Sequence, residues 1–208
     1  MTSLNAPSLS TPCAGIAEFL ETTYAKQNLV LVKKGNAVPL LKKQIWIVVR
    51  GLIILEGENI SDDDAFLGLV GPNEPFGECL TSNDACQAKT LTNSYLFCVR
   101  MSELFESHEL AMTLVNALSA RYRRAESSLV VLGIKSTEER IKVFLEQIAL
   151  NYGQSKAEGL LINFKLTYKV IADALGITRV TVTRVINRLC SNGWLKKVPN
   201  GFLITGKV

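Results

Sequence analysis

Short apolar runs broken by glycine dominate the first half of the chain, and helical spacings dominate the second. Between Leu29 and Val99 the runs LVLV, IWIVV, LIIL and SYLFCV are rich in β-branched and aromatic residues, which suits strands on a pleated, half-buried surface. Gly35, Gly51, Gly57, Gly71 followed by Pro72, and Gly77 separate them, and such residues mark turns. Short strands with regular turns predict an antiparallel β-roll or sandwich. Ile16 to Tyr24 reads as a short helix ahead of it.

The period changes near Met101. From Glu109 to Leu132 there is no Gly or Pro, and Ala111, Val115, Leu118, Tyr122, Ala125, Leu129 and Leu132 follow spacings of 4, 3, 4, 3, 4 and 3. That is a heptad seam. Such a seam packs either on the chain's own roll or on a partner helix, and a narrow two-in-seven stripe fits a partner helix better. Val115, Leu118, Tyr122, Ala125, Leu129 and Leu132 are therefore expected at a dimer interface. With Val115 at a, Arg121 falls at g and Glu126 at the following e, so a parallel pair predicts an Arg121 to Glu126 ion pair between chains that fixes register.

Gly133 ends this helix. Ser136 and Glu139 form an S-x-x-E capping box for the next, whose apolar face is Ile141, Phe144, Leu145, Ile148 and Tyr152. Gly153 stops it, NYGQSKAEG reads as a polar loop, and LLINF as a short strand.

Two short helices follow. Thr167 caps one that holds Val170, Ile171, Ala174 and Leu175 inward. Gly176 supplies a sharp turn, and Thr178 caps a second helix running to about Ser191. Its inward positions are Val182, Ile186 and Leu189, and its outer face carries Val180, Thr181, Thr183, Arg184, Asn187 and Arg188, with Arg179 leading. Two helices joined at a Gly, the second with an Arg- and Thr-rich outer face, make a helix-turn-helix. WLKKVPNGFLI then places two strand candidates around Pro199-Asn200-Gly201, a hairpin signal, with Lys196 and Lys197 beside it.

The chemistry of that outer face suits double-stranded DNA. Arg offers a planar fork to guanine O6 and N7, and an apolar side chain suits a thymine methyl. The first residues of a recognition helix reach deepest into the major groove. Arg179, Val180 and Arg184 are therefore expected to contact bases. Thr167, Thr181, Thr183, Lys169, Arg188, Lys196 and Lys197 are expected on phosphates.

Charge distribution agrees. Up to Gly133 the chain has 11 basic and 14 acidic residues; beyond it there are 12 basic and 5 acidic. On charge alone, a basic C-terminal part is either a solvated face or the side that meets a polyanion. Hydrophobic residues at 48% and charged residues at 20% fit a folded globular chain. No apolar run is long enough for a membrane span, and MTSLNAPSLSTPC lacks the pattern of a secretory signal, so a cytoplasmic location is expected. His108 is the one histidine, which rules out a His-rich metal site. No nucleophile motif accompanies it, so no catalytic triad is expected, and no enzymatic function. The five cysteines contain no CxxC pair. They read as free thiols, with a redox pair of Cys79 and Cys86 as the alternative.

Taken together, a Gly-punctuated roll, a long seam helix and LTYKVIADALGITRVTVTRVINRL resemble the CRP/FNR family of bacterial transcription regulators over nearly the whole chain. The resemblance implies an α+β architecture. It divides into an N-terminal tail and β-roll of the cupin-like, cyclic-nucleotide-binding type (1–108), a dimerisation helix (109–133) and a winged helix-turn-helix (134–208). It also implies a homodimer on a palindromic promoter site, with RNA polymerase as a partner. TRVTVTR is similar to the recognition helix of the cyanobacterial nitrogen-control branch, which implies GTA and TAC half-site cores. In the roll, Phe76-Gly77-Glu78 resembles the start of the family's phosphate-binding cassette, but Asp84-Ala85 stands where its Arg-Ser pair is expected. Without that Arg a cyclic phosphate has no counter-charge, so cyclic AMP is not expected. The nitrogen-control branch implies 2-oxoglutarate, with Arg121 and Glu126 at the matching spacing; Phe76, Gly77, Glu78, Arg121 and Glu126 are thus the candidate effector pocket. A different effector, or none, stays open. Neither haem, which would rest on His108 or a lone Cys, nor an iron–sulfur cluster, which needs grouped cysteines, is expected. A ligand-sensing module whose DNA-binding half is vestigial is the alternative function.

Overall fold

Strand β3 (Gln44–Arg50, QIWIVVR) is apolar without alternation, because both of its faces are covered. Ile45, Ile47 and Val49 pack with Leu110, Leu114 and Ala117 of a long helix, while Trp46 and Val48 point into the roll with Ile53, Leu55, Phe76 and Leu96. A continuous run of this kind marks a strand buried on two sides. Strand β7 (Gln87–Thr90) instead alternates strictly between exposed and buried, as a one-sided strand does.

The computed structural model describes residues 29–58 and 64–205; the short helix expected at Ile16 to Tyr24 lies outside them. Two four-stranded antiparallel sheets form the roll. One has the order β1-β8-β3-β6, the other β2-β7-β4-β5, with β1 Leu29–Val32, β2 Ala37–Val38, β4 Ile53–Glu58, β5 Asp64–Val70, β6 Pro75–Phe76 and β8 Ser94–Arg100. The four runs read as strands from sequence fall on β1, β3, β4 and β8, with Leu52 of LIIL just ahead of β4.

A short helix α1 (Met101–Glu106) leads into α2 (His108–Leu132), whose cap is the Ser107 side chain accepting from the Leu110 N–H. Helix α2 lies along the outer face of the first sheet. It is followed by α3 (Thr137–Tyr152), β9 (Gln154–Lys156), β10 (Gly159–Ile162), α4 (Tyr168–Leu175), α5 (Arg179–Ser191), β11 (Leu195–Val198) and β12 (Gly201–Ile204). The stretch read as a polar loop after Gly153 is in fact strand β9, paired with β10 at the edge of a sheet ordered β11-β12-β10-β9. Its all-exposed side chains hid the strand from a reading based on apolar runs.

The second sheet is covered by the C-terminal unit. Leu52, Ile54 and Leu69 join the same core as Phe144, Leu145, Ile148, Ile171, Val182 and Ile186, and Phe66 meets Phe144 edge to face at 6.3 Å between ring centroids. The roll thus carries α2 on one side and the C-terminal helices on the other. Ile186 is fully buried between α5 and its neighbours. Ile186→Ala is expected to destabilise the protein by about 2–5 kcal/mol, measured by urea denaturation followed by far-ultraviolet circular dichroism.

Candidate nucleic-acid interface

Helices α4 and α5 are set by local signals. The Thr167 side chain accepts from the Val170 N–H and starts α4. Gly176, at φ +61°, closes it in the left-handed conformation that costs glycine nothing. The Thr178 side chain accepts from the Thr181 N–H and starts α5 two residues later. Ile171, Ala172 and Leu175 of α4 and Val182, Val185, Ile186 and Leu189 of α5 are buried; Val170 and Ala174 are only partly so. Val185 joins the inward face that the sequence spacing had assigned to Val182, Ile186 and Leu189.

The outward face of α5 is left free. Arg179, Thr183, Arg184, Asn187 and Arg188 are exposed, and Val180 is 78% exposed. The basic groups there differ in how they are held. Arg188 pairs with Glu138 at the start of α3 at 3.1 Å. Lys169 pairs with Asp173 at 3.2 Å, and Lys196 with Glu158 at 3.8 Å. Lys197 donates to Asn187 Oδ1 at 2.9 Å and lies over the Tyr168 ring, which ties the β11–β12 hairpin to α5. The Thr183 hydroxyl donates to the Arg179 carbonyl, and the Thr178 and Thr181 hydroxyls bond each other. Among the described residues, the Arg179 and Arg184 side chains have no such internal partner. A shallow hollow between the first turn of α3 (Ser136 to Glu139) and Thr181, Arg184 and Arg188 of α5 continues this face. Of the expected capping box at Ser136 and Glu139, the half in which the Ser136 side chain accepts from the Glu139 N–H is observed.

The expected seam residues of α2 lie on its outward flank. Val115, Tyr122, Leu129 and Leu132 are large, apolar and exposed, Leu129 at 67%, and Ala125 is exposed beside them. Leu118 is half-buried and packs partly on the chain's own roll.

The expected effector residues do not form one pocket. Phe76 is wholly buried in the roll's interior. Gly77 precedes a 3-10 turn that begins at Glu78. Arg121 turns inward and donates to the Pro75 carbonyl, while Glu126 stands exposed on another face of α2. Arg121 is therefore not placed as the outward g residue of an interhelical ion pair, because its guanidinium is held by the backbone of its own roll. Cys79, Cys86, Cys98 and Cys190 are free thiols, and burial pushes the Cys86 and Cys98 thiols up, away from the reactive thiolate form.

One polar group was not foreseen. Glu74, in the turn between β5 and β6, is only 5% exposed. Its carboxylate meets Arg124 of α2 at 2.6 Å and accepts from the Gly71 N–H at 3.0 Å. The Tyr152 hydroxyl, from the last turn of α3, lies 3.5 Å from both carboxylate oxygens and 3.1 Å from the Leu69 carbonyl oxygen, to which it donates. Burial pushes the Glu74 carboxyl up, against the pull of Arg124, the Gly71 N–H, Arg121 and Tyr152. Burial, and then Glu74, push the Tyr152 phenol up, so it stays neutral. Gly71 is required here, since a Cβ would come within 2.8 Å of the Tyr152 ring. Roll, long helix and C-terminal unit meet at this carboxylate.

A roll, a long helix with a free apolar flank, and a helix-turn-helix with a hairpin wing define a winged-helix DNA-binding regulator. A sequence profile of the Crp-like helix-turn-helix domain matches residues 139–205. The chain is 30% identical over 156 residues to a global nitrogen regulator of Synechococcus elongatus, covering 71% of this chain and 70% of that protein. It is 29% identical over 185 residues to the regulatory protein CysR of the same species, covering 88% of this chain and 85% of that one. Among solved structures, a CRP-family transcriptional regulator of Thermus thermophilus shares the fold with a TM-score of 0.73 at 17% identity, covering 85% of this chain and 92% of the other. The chain belongs to the CRP/FNR family of transcription regulators; it is a DNA-binding protein and not an enzyme. Among the described residues no helix is long and apolar enough to cross a membrane.

Arg124→Ala is expected to cost about 3–5 kcal/mol, the range for leaving a buried charge without its partner. Combining it with Glu74→Gln should recover much of that loss, and denaturation of the two single variants and the double variant measures the coupling.

Proposed function

We propose that the protein acts as a homodimer that binds a palindromic promoter site, and that Arg179, Val180 and Arg184 read its bases. The observation that carries this reading is the free outer face of α5. Arg179 and Arg184 have no internal partners among the described residues, and Val180 is 78% exposed. An unpaired Arg fork beside an exposed apolar side chain suits a guanine edge beside a thymine methyl. Thr167, Thr181, Thr183, Lys169, Arg188, Lys196 and Lys197 surround it and supply phosphate contacts. Their pairs with Glu138, Asp173 and Glu158 are exposed enough to be exchanged for phosphates at little cost.

The second copy packs along the outward flank of α2, where Val115, Tyr122, Leu129 and Leu132 are exposed. A two-fold pair places two recognition helices in successive major grooves. The likeness of TRVTVTR to the nitrogen-control branch supports GTA and TAC half-site cores. A small effector sets the affinity of this dimer, and RNA polymerase is the partner it meets at promoters, in the cytoplasm.

Arg184→Ala is expected to lose about 1–3 kcal/mol of binding to a palindromic duplex with GTA and TAC half-site cores about one helical turn apart, while weakening binding to unrelated duplex far less. Fluorescence anisotropy titrations at one fixed salt concentration measure both, and an equal loss on the two duplexes would rule out base contact by Arg184. Leu129→Glu is expected to shift the protein to monomer in sedimentation equilibrium, because it places like charges on the seam. An unchanged mass would place the interface elsewhere.

A further inference from the structure

The outer face of α5 continues past the residues assigned to base reading. Helical periodicity puts Val180, Arg184 and Asn187 on one stripe, at i, i+4 and i+7, opposite the buried Val182, Val185, Ile186 and Leu189. Asn187 is exposed like the other two. It stands about 4.5 Å along the helix axis from Arg184, little more than one base-pair step of about 3.4 Å. A helix that seats Val180 and Arg184 in a major groove therefore carries Asn187 beside the neighbouring base pair.

The Asn187 amide is not free to turn. Its Oδ1 accepts from the Lys197 ammonium at 2.9 Å. An ammonium has donors only, so its partner is the carbonyl oxygen and the NH2 group lies on the other side of the amide. Lys197 is held in turn. It projects from β11 on the same side as Phe202, its cross-strand partner in β12. Phe202 stacks on Tyr168 of α4 at 6.5 Å between ring centroids. The ammonium lies 5.7 Å from the centre of the same Tyr168 ring, a cation–π contact. The wing thus holds one edge of the Asn187 amide, and among the described residues the Nδ2 on the other edge has no acceptor.

This orientation decides which bases suit the amide. An Asn that reads adenine uses both edges, donating to N7 and accepting from the N6 amino group. Here that amino group would meet the Lys197 ammonium at Oδ1, donor against donor. Guanine offers acceptors alone at N7 and O6, which matches an amide that presents only its N–H groups.

We propose that Asn187 is a further base-reading residue, that Lys197 is the positioning residue that aims its amide, and that the pair selects guanine over adenine at the base pair next to the one under Arg184. This rests on the seating of α5 in the major groove proposed above. The ammonium keeps its other N–H groups for a phosphate.

Fluorescence anisotropy of the full-length protein on palindromic duplexes with GTA and TAC cores, each base pair of the half-site and its flanks replaced in turn, tests this at one fixed salt concentration. Arg184→Ala marks the base pair under Arg184. At a neighbouring pair the unaltered protein is expected to favour guanine over adenine at least about fivefold, the low end for a good base contact. Asn187→Ala should abolish that preference and leave the others in place. Lys197→Met keeps the length of the side chain but removes the ammonium and frees the amide to turn, so adenine should then bind as well as guanine. Circular dichroism checks that both variants fold. A uniform fall on every duplex in Asn187→Ala, as expected of an asparagine that only ties the wing to α5, overturns the proposal. So does a guanine preference untouched in Lys197→Met. Base preference under Arg184 with none at either neighbouring pair overturns this inference alone, whereas no base preference at any pair overturns the seating of α5 as well.

Discussion

Glu74 is a carboxylate almost removed from water, and the arrangement of the whole chain depends on how it is answered. A buried anion must be paired and hydrogen-bonded or be neutralised. Here the Gly71 N–H, the Arg124 guanidinium and the Tyr152 hydroxyl surround it. These groups come from three separate stretches, namely the turn after β5, the middle of α2 and the end of α3. Satisfying one carboxylate therefore fixes the roll against the long helix and the long helix against the unit that carries α5. The apolar part of the same junction, Phe66 on Phe144 and Leu69 among the C-terminal core, adds burial but little directionality. The ionic contact supplies the direction.

Helix α2 does two jobs because it carries two stripes of the same spacing, offset by one residue. Ala111, Val115, Leu118, Tyr122, Ala125, Leu129 and Leu132 form the outer stripe. Leu110, Leu114, Ala117, Arg121, Arg124, Ser128 and Val131 form the inner one, and the four apolar members of that set are the buried residues of the helix. The inner stripe becomes polar where the roll offers Glu74 and the Pro75 carbonyl instead of side-chain carbons. One helix thus belongs to its own roll on one flank and leaves an apolar flank free on the other.

The outer stripe was legible in the sequence because it is apolar throughout. The inner stripe was not, because Arg121, Arg124 and Ser128 break its hydrophobic pattern and pass for surface residues. For the same reason Arg121 was read as an outward partner of Glu126, although its partner is a backbone carbonyl that no side-chain pattern reports. Strands β1, β3, β4 and β8 announced themselves as apolar runs; β2 and β6 are two residues each, and β9 is wholly exposed. The helix-turn-helix was the clearest part of the sequence. Thr167, Gly176 and Thr178 act through local backbone chemistry, and local chemistry does not depend on the rest of the fold. Glu74 and Tyr152 could not be paired from the sequence, since 78 residues separate them and neither sits in a motif.

The two-fold dimer proposed above puts two copies of α5 into successive major grooves of one site. Hydroxyl-radical footprinting of the full-length protein on a palindromic duplex with GTA and TAC half-site cores about one helical turn apart distinguishes this arrangement from contact by a single helix. Two protected patches related by a two-fold axis are expected, on one face of the DNA and about one helical turn, roughly 10 base pairs, apart. A single protected patch, or equal protection along the duplex whatever its sequence, would contradict it.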